Sequence, residues 1–218
     1  MNAALRALAE QQIQEINAAG LYKNQRVIAS RQGTYVKVNG QELLNFCANN
    51  YLGLSGKDEL VQAAQTAVAK YGFGLSSVRF ICGTQTVHIE LEKKIAQWFH
   101  KDAAITFTSC WDANEAVFAG LLTDQDAIIT DELNHASLID GIRLCKAERH
   151  IFKHMDMADL EQHLKDTQNK RLRCIVTDGV FSMDGDVAPL QGICDLADKY
   201  NAYVVVDDSH ASGFMGAT

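Results

Sequence analysis

Proline is almost absent from this chain: 218 residues contain one, Pro189. No Pro/Gly/Ser-rich or low-complexity stretch marks a linker, and no internal repeat is visible. Runs of about 20 apolar residues, the length a membrane-spanning helix needs, are missing too. Positive charge is short, with 20 Lys and Arg against 27 Asp and Glu and a net charge of -7. That balance excludes a general nucleic-acid binder, which needs clustered cations for the phosphate backbone. The cluster Lys170-Arg171-Leu172-Arg173 reads as a solvated loop entering a strand.

The cysteines Cys47, Cys82, Cys110, Cys145, Cys174 and Cys194 form no CxxC and no Cys/His spacing of a zinc site. They read as reduced thiols of a cytoplasmic protein, with no metal. Met1 to Leu21 has no apolar core region and is not Arg-rich, so it reads as neither a signal nor a transit peptide.

What the chain does have is apolar mass and a strong alternation. At 47% hydrophobic residues it can bury the core of one large domain with a small appendage. The expected division is residues 1–50, a helix and a small β segment, and residues 51–218, a large α/β domain. Ala4, Leu5, Leu8, Ile13 and Ile16 recur at helical spacing, and Gly20 stands where a helix cap would close. Short alternating runs follow up to Phe46, with Asn39-Gly40 as a hairpin signal. A helix is expected over 58–71.

Beyond it, helices are expected over 86–99, 114–122, 136–145, 157–164 and 190–200. Strands are expected over 103–107, 127–130, 150–152, 174–177 and 203–206. This order predicts an α/β fold, a mainly parallel sheet with helices on both faces.

The strand ends carry the chemistry. The expected strand over 103–107 leads into Thr108-Ser109-Cys110-Trp111-Asp112, where helix-start N–H groups and hydroxyls form a ready anion site. The strand over 127–130 leads into Asn134-His135-Ala136-Ser137, and that over 174–177 into Gly179-Val180-Phe181-Ser182-Met183-Asp184-Gly185. The last strand delivers Asp207-Asp208-Ser209-His210. Each turn alone reads as an ordinary cap or tight loop. Together, on one edge of a parallel sheet, they give a phosphate cradle, two histidines and a buried carboxylate. Strand alternation turns Asp208 to the face opposite Asp207, a structural position.

Long motifs extend the pattern: Asn45-Phe46-Cys47-Ala48-Asn49-Asn50-Tyr51-Leu52-Gly53-Leu54, Ser77-Val78-Arg79-Phe80-Ile81-Cys82-Gly83-Thr84 and Ser109-Cys110-Trp111-Asp112-Ala113-Asn114. With Leu133 to Ser137, Gly179 to Gly185 and Val206 to Ala211, they resemble the α-oxoamine synthase family of fold-type-I pyridoxal-phosphate enzymes.

The resemblance implies pyridoxal 5′-phosphate (PLP) as cofactor. It gives His135, Asp207 and His210 the catalytic roles. Asp207 would face the pyridine nitrogen, His210 the phenolic oxygen and His135 the ring face. Backbone N–H groups of Cys110 and Trp111 would hold the phosphate. Ser182 would lie near the ring oxygen, and Asn49 near the substrate. The motif around Cys47 and the Asp-Asp-Ser-His-Ala run favour members that condense glycine with acetyl-coenzyme A, the reverse of a step in threonine degradation. A biotin-pathway synthase of the same family is the alternative, as is a non-catalytic remnant that only binds cofactor or dimerises. A homodimer is implied, with the loop over 76–84 contributing across it.

The family's cofactor-binding lysine sits in a Gly-Thr-Leu-Gly-Lys-type segment, which none of the twelve lysines here matches. The chain therefore looks like the N-terminal part of such an enzyme. Residues 1–218 alone are expected to show no transferase activity. A nicotinamide-binding Rossmann fold is a poor match, because Gly72-Phe73-Gly74 lacks the third glycine and a preceding strand.

Overall fold

The computed structural model describes residues 2–216 as two units that divide after Phe73. In the first unit, helix α1 (Ala3–Ala18) starts where Asn2 Oδ1 accepts from Ala4 N at 2.8 Å. It stops before Gly20, whose φ of +69° suits a residue without Cβ. None of its residues is buried. Strands β1 (Tyr35–Val38) and β2 (Gln41–Leu44) form an antiparallel hairpin. Asn39 and Gly40, both at positive φ, make the turn the sequence signals. Helix α2 (Asp58–Tyr71) opens with Asp58 and Glu59 in its first turn, where acidic groups complement the helix dipole.

The second unit holds the parallel sheet. A π-helical turn (Arg79–Gly83) precedes helix α3 (Thr86–Trp98) and helix α4 (Cys110–Leu121). Strands β3 (Ala127–Asp131), β4 (Glu148–Phe152), β5 (Arg173–Asp178) and β6 (Tyr203–Asp207) then alternate with helices. The helices are α5 (Ala136–Leu144), α6 (Met157–Asp166) and α7 (Leu190–Tyr200).

All four strands run parallel, in the order β4-β3-β5-β6. Alternate side chains explain the two layers. Ile128, Cys174 and Val176 pack with Phe118, Leu138 and Ile142 on the α4/α5 side. Ile129 and Ile175 pack with Phe152, Leu160, Leu164 and Ile193 on the α6/α7 side.

Two features of this unit bear on function. The chain leaves β3 for β4 on one side and returns to β5 on the other, so the strand order reverses between β3 and β5. Ligands of open α/β sheets bind at the carboxyl ends of strands at such a switch. Three strands end there in a buried carboxylate: Asp131, Asp178 and Asp207. Secondly, α4 and α5 approach closely. A Cβ on Gly141 would lie 2.6 Å from the Asn114 carbonyl oxygen, so the contact requires glycine.

One expected strand is not formed. Residues 103–107 have no regular secondary structure and no ladder partner among the described residues. A strand is defined by its neighbour's hydrogen bonds, and here they go elsewhere. The Glu92 carboxylate of α3 accepts from Thr106 N and Thr106 Oγ1, both at 2.9 Å.

Candidate active site

Asp207 sits at the last position of β6 and is 8% exposed. Its Oδ2 accepts from Asn114 Nδ2 at 2.8 Å and from the Cys110 thiol at 3.6 Å. Its Oδ1 accepts from Ser209 N at 3.1 Å. Burial pushes this carboxyl up, but the Ser209 and Asn114 hydrogen bonds outweigh it and leave the group below its ordinary value. No Lys or Arg pairs with it among the described residues. An ionised, buried carboxylate held only by neutral donors is a site for a cationic ligand atom.

Asp208 lies one residue beyond β6 and has a different partner. Its Oδ2 accepts from Ser212 Oγ at 2.5 Å.

His135 caps α5. Its Nδ1 lies 2.7 Å from Ser137 Oγ and accepts from Ser137 N at 3.3 Å. Its backbone N donates to Asp178 Oδ2 at 2.7 Å. The Trp111 ring stands edge-on to the imidazole with centroids 6.0 Å apart. Cys110 and Trp111 are the first two residues of α4. Ser109 Oγ takes Asp112 N at 3.0 Å and Ser109 O takes Ala113 N. Among the described residues the N–H groups of Cys110 and Trp111 have no acceptor, as helix starts leave them.

The other expected site residues are His210, Ser182 and Asn49. His210 is half-buried in the turn after β6. Ser182 is exposed at the tip of the loop that the Val180–Val187 bridge closes. Asn49 belongs to the first unit, where it is exposed and lines a cavity of 410 Å³ with Asn45, Cys47 and Asn50.

Reading the sequence missed several groups that hold this edge together. Asn114 and Ser137 are buried and link Asp207 to His135. Asn134 spans the switch. Its Nδ2 donates to Thr130 Oγ1 and the Val176 carbonyl, and its Oδ1 accepts from Asp178 N. His154 sits between Asp131 (2.9 Å) and Asp186 (3.3 Å), against the Phe181 ring, and so ties the Ser182 loop to β3. Asn114, Asn134 and Ser137 stand in the motifs quoted above, which gave them no role, and His154 stands in none of them.

The family profile for aminotransferase class I and II matches residues 41–218. The chain belongs to this family. A bovine mitochondrial 2-amino-3-ketobutyrate coenzyme A ligase is 56% identical over 99% of the chain, and the Escherichia coli K12 protein of that name is 52% identical over 94%. An 8-amino-7-oxononanoate synthase of Thermosipho melanesiensis is 48% identical over 94% of the chain. The chain spans 52% to 53% of the length of these relatives. Among solved structures, a serine palmitoyltransferase from S. paucimobilis with PLP–myriocin bound superposes with a TM-score of 0.85. It is 26% identical, over 94% of this chain and 54% of that one.

Two of the carboxyls at the switch point are shifted in opposite directions, Asp207 down and Asp178 up. Burial, which the hydrogen bond from His135 N only partly offsets and to which the neighbouring Asp207 adds, pushes Asp178 up to about 6. A raised folded pKa contributes stability below the unfolded value near 4, and that contribution disappears as pH rises through 6. Ionised Asp178 therefore costs stability at neutral pH.

Asp178→Asn keeps an acceptor for His135 N and removes the charge. It is expected to stabilise the protein by about 1–3 kcal/mol at pH 7.5, with no gain at pH 4. Urea melts across that range check the sign. A gain independent of pH contradicts the burial argument.

Proposed function

We propose that this chain serves a PLP-dependent acyltransferase that condenses glycine with acetyl-coenzyme A, giving 2-amino-3-oxobutanoate and coenzyme A. The observation that carries it is the ionised Asp207, buried among neutral donors beside a helix start with two free N–H groups. Both halves suit PLP, which has a basic ring nitrogen and a phosphate.

When bound, PLP supplies an electron sink for negative charge at an amino acid's α-carbon. Asp207 would keep a proton on the pyridine nitrogen, since an adjacent opposite charge favours the cationic form. Cys110 and Trp111 N–H groups would hold the phosphate at the positive end of α4. His135 would cover the ring face and His210 would hydrogen-bond the phenolic oxygen. Ser182 would lie on that oxygen's side, and Asn49 near the amino acid.

Identity above 50% with proteins named 2-amino-3-ketobutyrate coenzyme A ligase supports glycine and acetyl-coenzyme A as substrates. The 8-amino-7-oxononanoate synthase relative supports a second reading within the same chemistry. A homodimer fits the exposure of Phe80 (89%) and Ile81 (70%) on the turn Arg79–Gly83, apolar surface that a second subunit would cover. We propose a cytoplasmic location, as for the bacterial relative whose name specifies no organelle, while the bovine one is named mitochondrial. All six cysteines are free, and no helix among the described residues is long and apolar enough to cross a membrane.

Titration with PLP tests the reading, because Trp111 fluorescence should quench on binding. Pyridoxal without the phosphate should bind at least tenfold more weakly, the worth of about one charge-assisted hydrogen bond. Glycine should then perturb the bound cofactor's absorbance more than alanine does; the reverse order selects the synthase. Equal affinity for PLP and pyridoxal removes the phosphate cradle and the proposal with it.

A further inference from the structure

Four elements meet in one chain of hydrogen bonds at the switch point: α4, α5, β5 and β6. Asn114 Nδ2 donates to Asp207 Oδ2 at 2.8 Å and to Ser137 Oγ at 2.9 Å. Its orientation is determined, because a flipped amide would set its oxygen against the Asp207 carboxylate. With both N–H bonds so used, Ser137 Oγ is an acceptor toward Asn114 and has one proton left to give.

Its nearest acceptor is His135 Nδ1, 2.7 Å from the hydroxyl oxygen, and the backbone decides which of the two donates. The same nitrogen accepts from Ser137 N at 3.3 Å. A ring nitrogen that accepts from two donors has no proton of its own, so the imidazole proton is on Nε2. His135 is then anchored from behind by its backbone N–H on Asp178 Oδ2 at 2.7 Å. Asn114 is 7% exposed and Ser137 1% exposed, so water does not compete for these bonds. The close approach of α4 and α5 at Gly141 is what brings the two side chains within reach.

We propose that Asn114 and Ser137 are positioning residues. Asn114 orients the carboxylate that faces the cofactor's ring nitrogen, and through Ser137 it fixes His135 as the Nε2–H tautomer. The proposal deepens the PLP reading and rests on it for the word cofactor; the tautomer itself does not depend on that reading. Both groups that contact the ring are thereby set by one amide. A shift of α4 would disturb the ring-nitrogen partner and the stacking imidazole together.

The test is nitrogen-15 NMR of the histidine-labelled chain, in which long-range proton correlations show which ring nitrogen is protonated. A His135→Asn sample assigns the signal. The wild-type chain should show His135 as Nε2–H. Ser137→Ala should lower the Nε2–H to Nδ1–H ratio by about tenfold, the value of one hydrogen bond of about 1.4 kcal/mol. Asn114→Ala should lower the same ratio, because Ser137 Oγ is then free to accept from Nδ1–H, and should weaken PLP binding about tenfold, since Asp207 loses its amide donor; an unchanged ratio in this variant also overturns the proposal. Wild-type His135 protonated on Nδ1 overturns the proposal without any variant. So does a Ser137→Ala ratio equal to wild type. If wild type shows Nε2–H but binds no PLP, the functional reading fails and the tautomer stands.

Discussion

Replacing Asp207 by alanine is expected to weaken PLP binding by about 10- to 100-fold while the chain remains folded. No Lys or Arg among the described residues neutralises this carboxylate, which its hydrogen bonds hold below its ordinary value. A hydrogen bond between opposite charges in such a place contributes about 1.5–3 kcal/mol, which is that range of affinity. Asp207→Asn should fall near the weak end. It keeps the shape but loses the charge, and its amide would meet the Asn114 amide.

Asp208→Asn is the control, because Asp208, one residue beyond the same strand end, holds Ser212. Its affinity should stay within about twofold of wild type. Fluorescence titration of the three variants reads this directly. Equal losses at 207 and 208 would mean that strand geometry, and not the carboxylate at the pyridine nitrogen, governs binding.

The parallel sheet could be read from the sequence because its strands are buried on both faces. Ala127 to Thr130 and Cys174 to Thr177 lie almost wholly out of solvent, so composition alone marked them. Helix α7 was legible to the residue, with Pro189 at its start and Asn201 in left-handed geometry at its end. Residues 103–107 have the same apolar character and still form no ladder. Composition reports that a segment is buried or extended, whereas a strand depends on a partner elsewhere in the chain.

The site divides along a similar line. Asp207 and His135 were legible because they end or follow apolar runs at one sheet edge. The bridging role of Asn114 was not, because its partners lie 23 and 93 residues away. A polar residue inside a helix looks alike whether it faces water or bridges two elements. His154 is a sharper case: its link between Asp131 and Asp186 arises from two loop conformations that no local pattern specifies.

At the opposite, amino-terminal edge of the sheet, Asp126 is expected to be the costliest polar residue to remove. It is fully buried and accepts from Thr123 N (2.7 Å), Thr123 Oγ1 (3.1 Å) and Leu172 N (3.1 Å). Arg171 adds a two-pronged contact through Nε at 2.8 Å and Nη2 at 2.6 Å. These bonds join the loop before β3 to the start of β5, and the Asp126 carbonyl accepts from Glu148 N at the start of β4.

Asp126→Ala leaves two backbone N–H groups and a guanidinium without their acceptor. With buried unsatisfied donors costing about 1–3 kcal/mol each, the loss should reach about 3–5 kcal/mol. That is a large fraction of the 5–15 kcal/mol typical of a folded domain. Asp126→Asn should lose roughly half as much, because one oxygen still accepts.

The pH dependence separates charge from shape. Arg171, helped by the Thr123 hydrogen bonds, holds the Asp126 carboxyl far below its ordinary value. A depressed folded pKa contributes stability above the unfolded value near 4, and that contribution fades as pH falls below it. The difference between wild type and Asp126→Asn should therefore be constant from pH 8 to 5 and shrink below pH 4. Chemical denaturation at several pH values measures it. A gap that persists unchanged to pH 3 would show that the carboxylate's hydrogen-bonding shape, and not its charge on Arg171, joins the three strands.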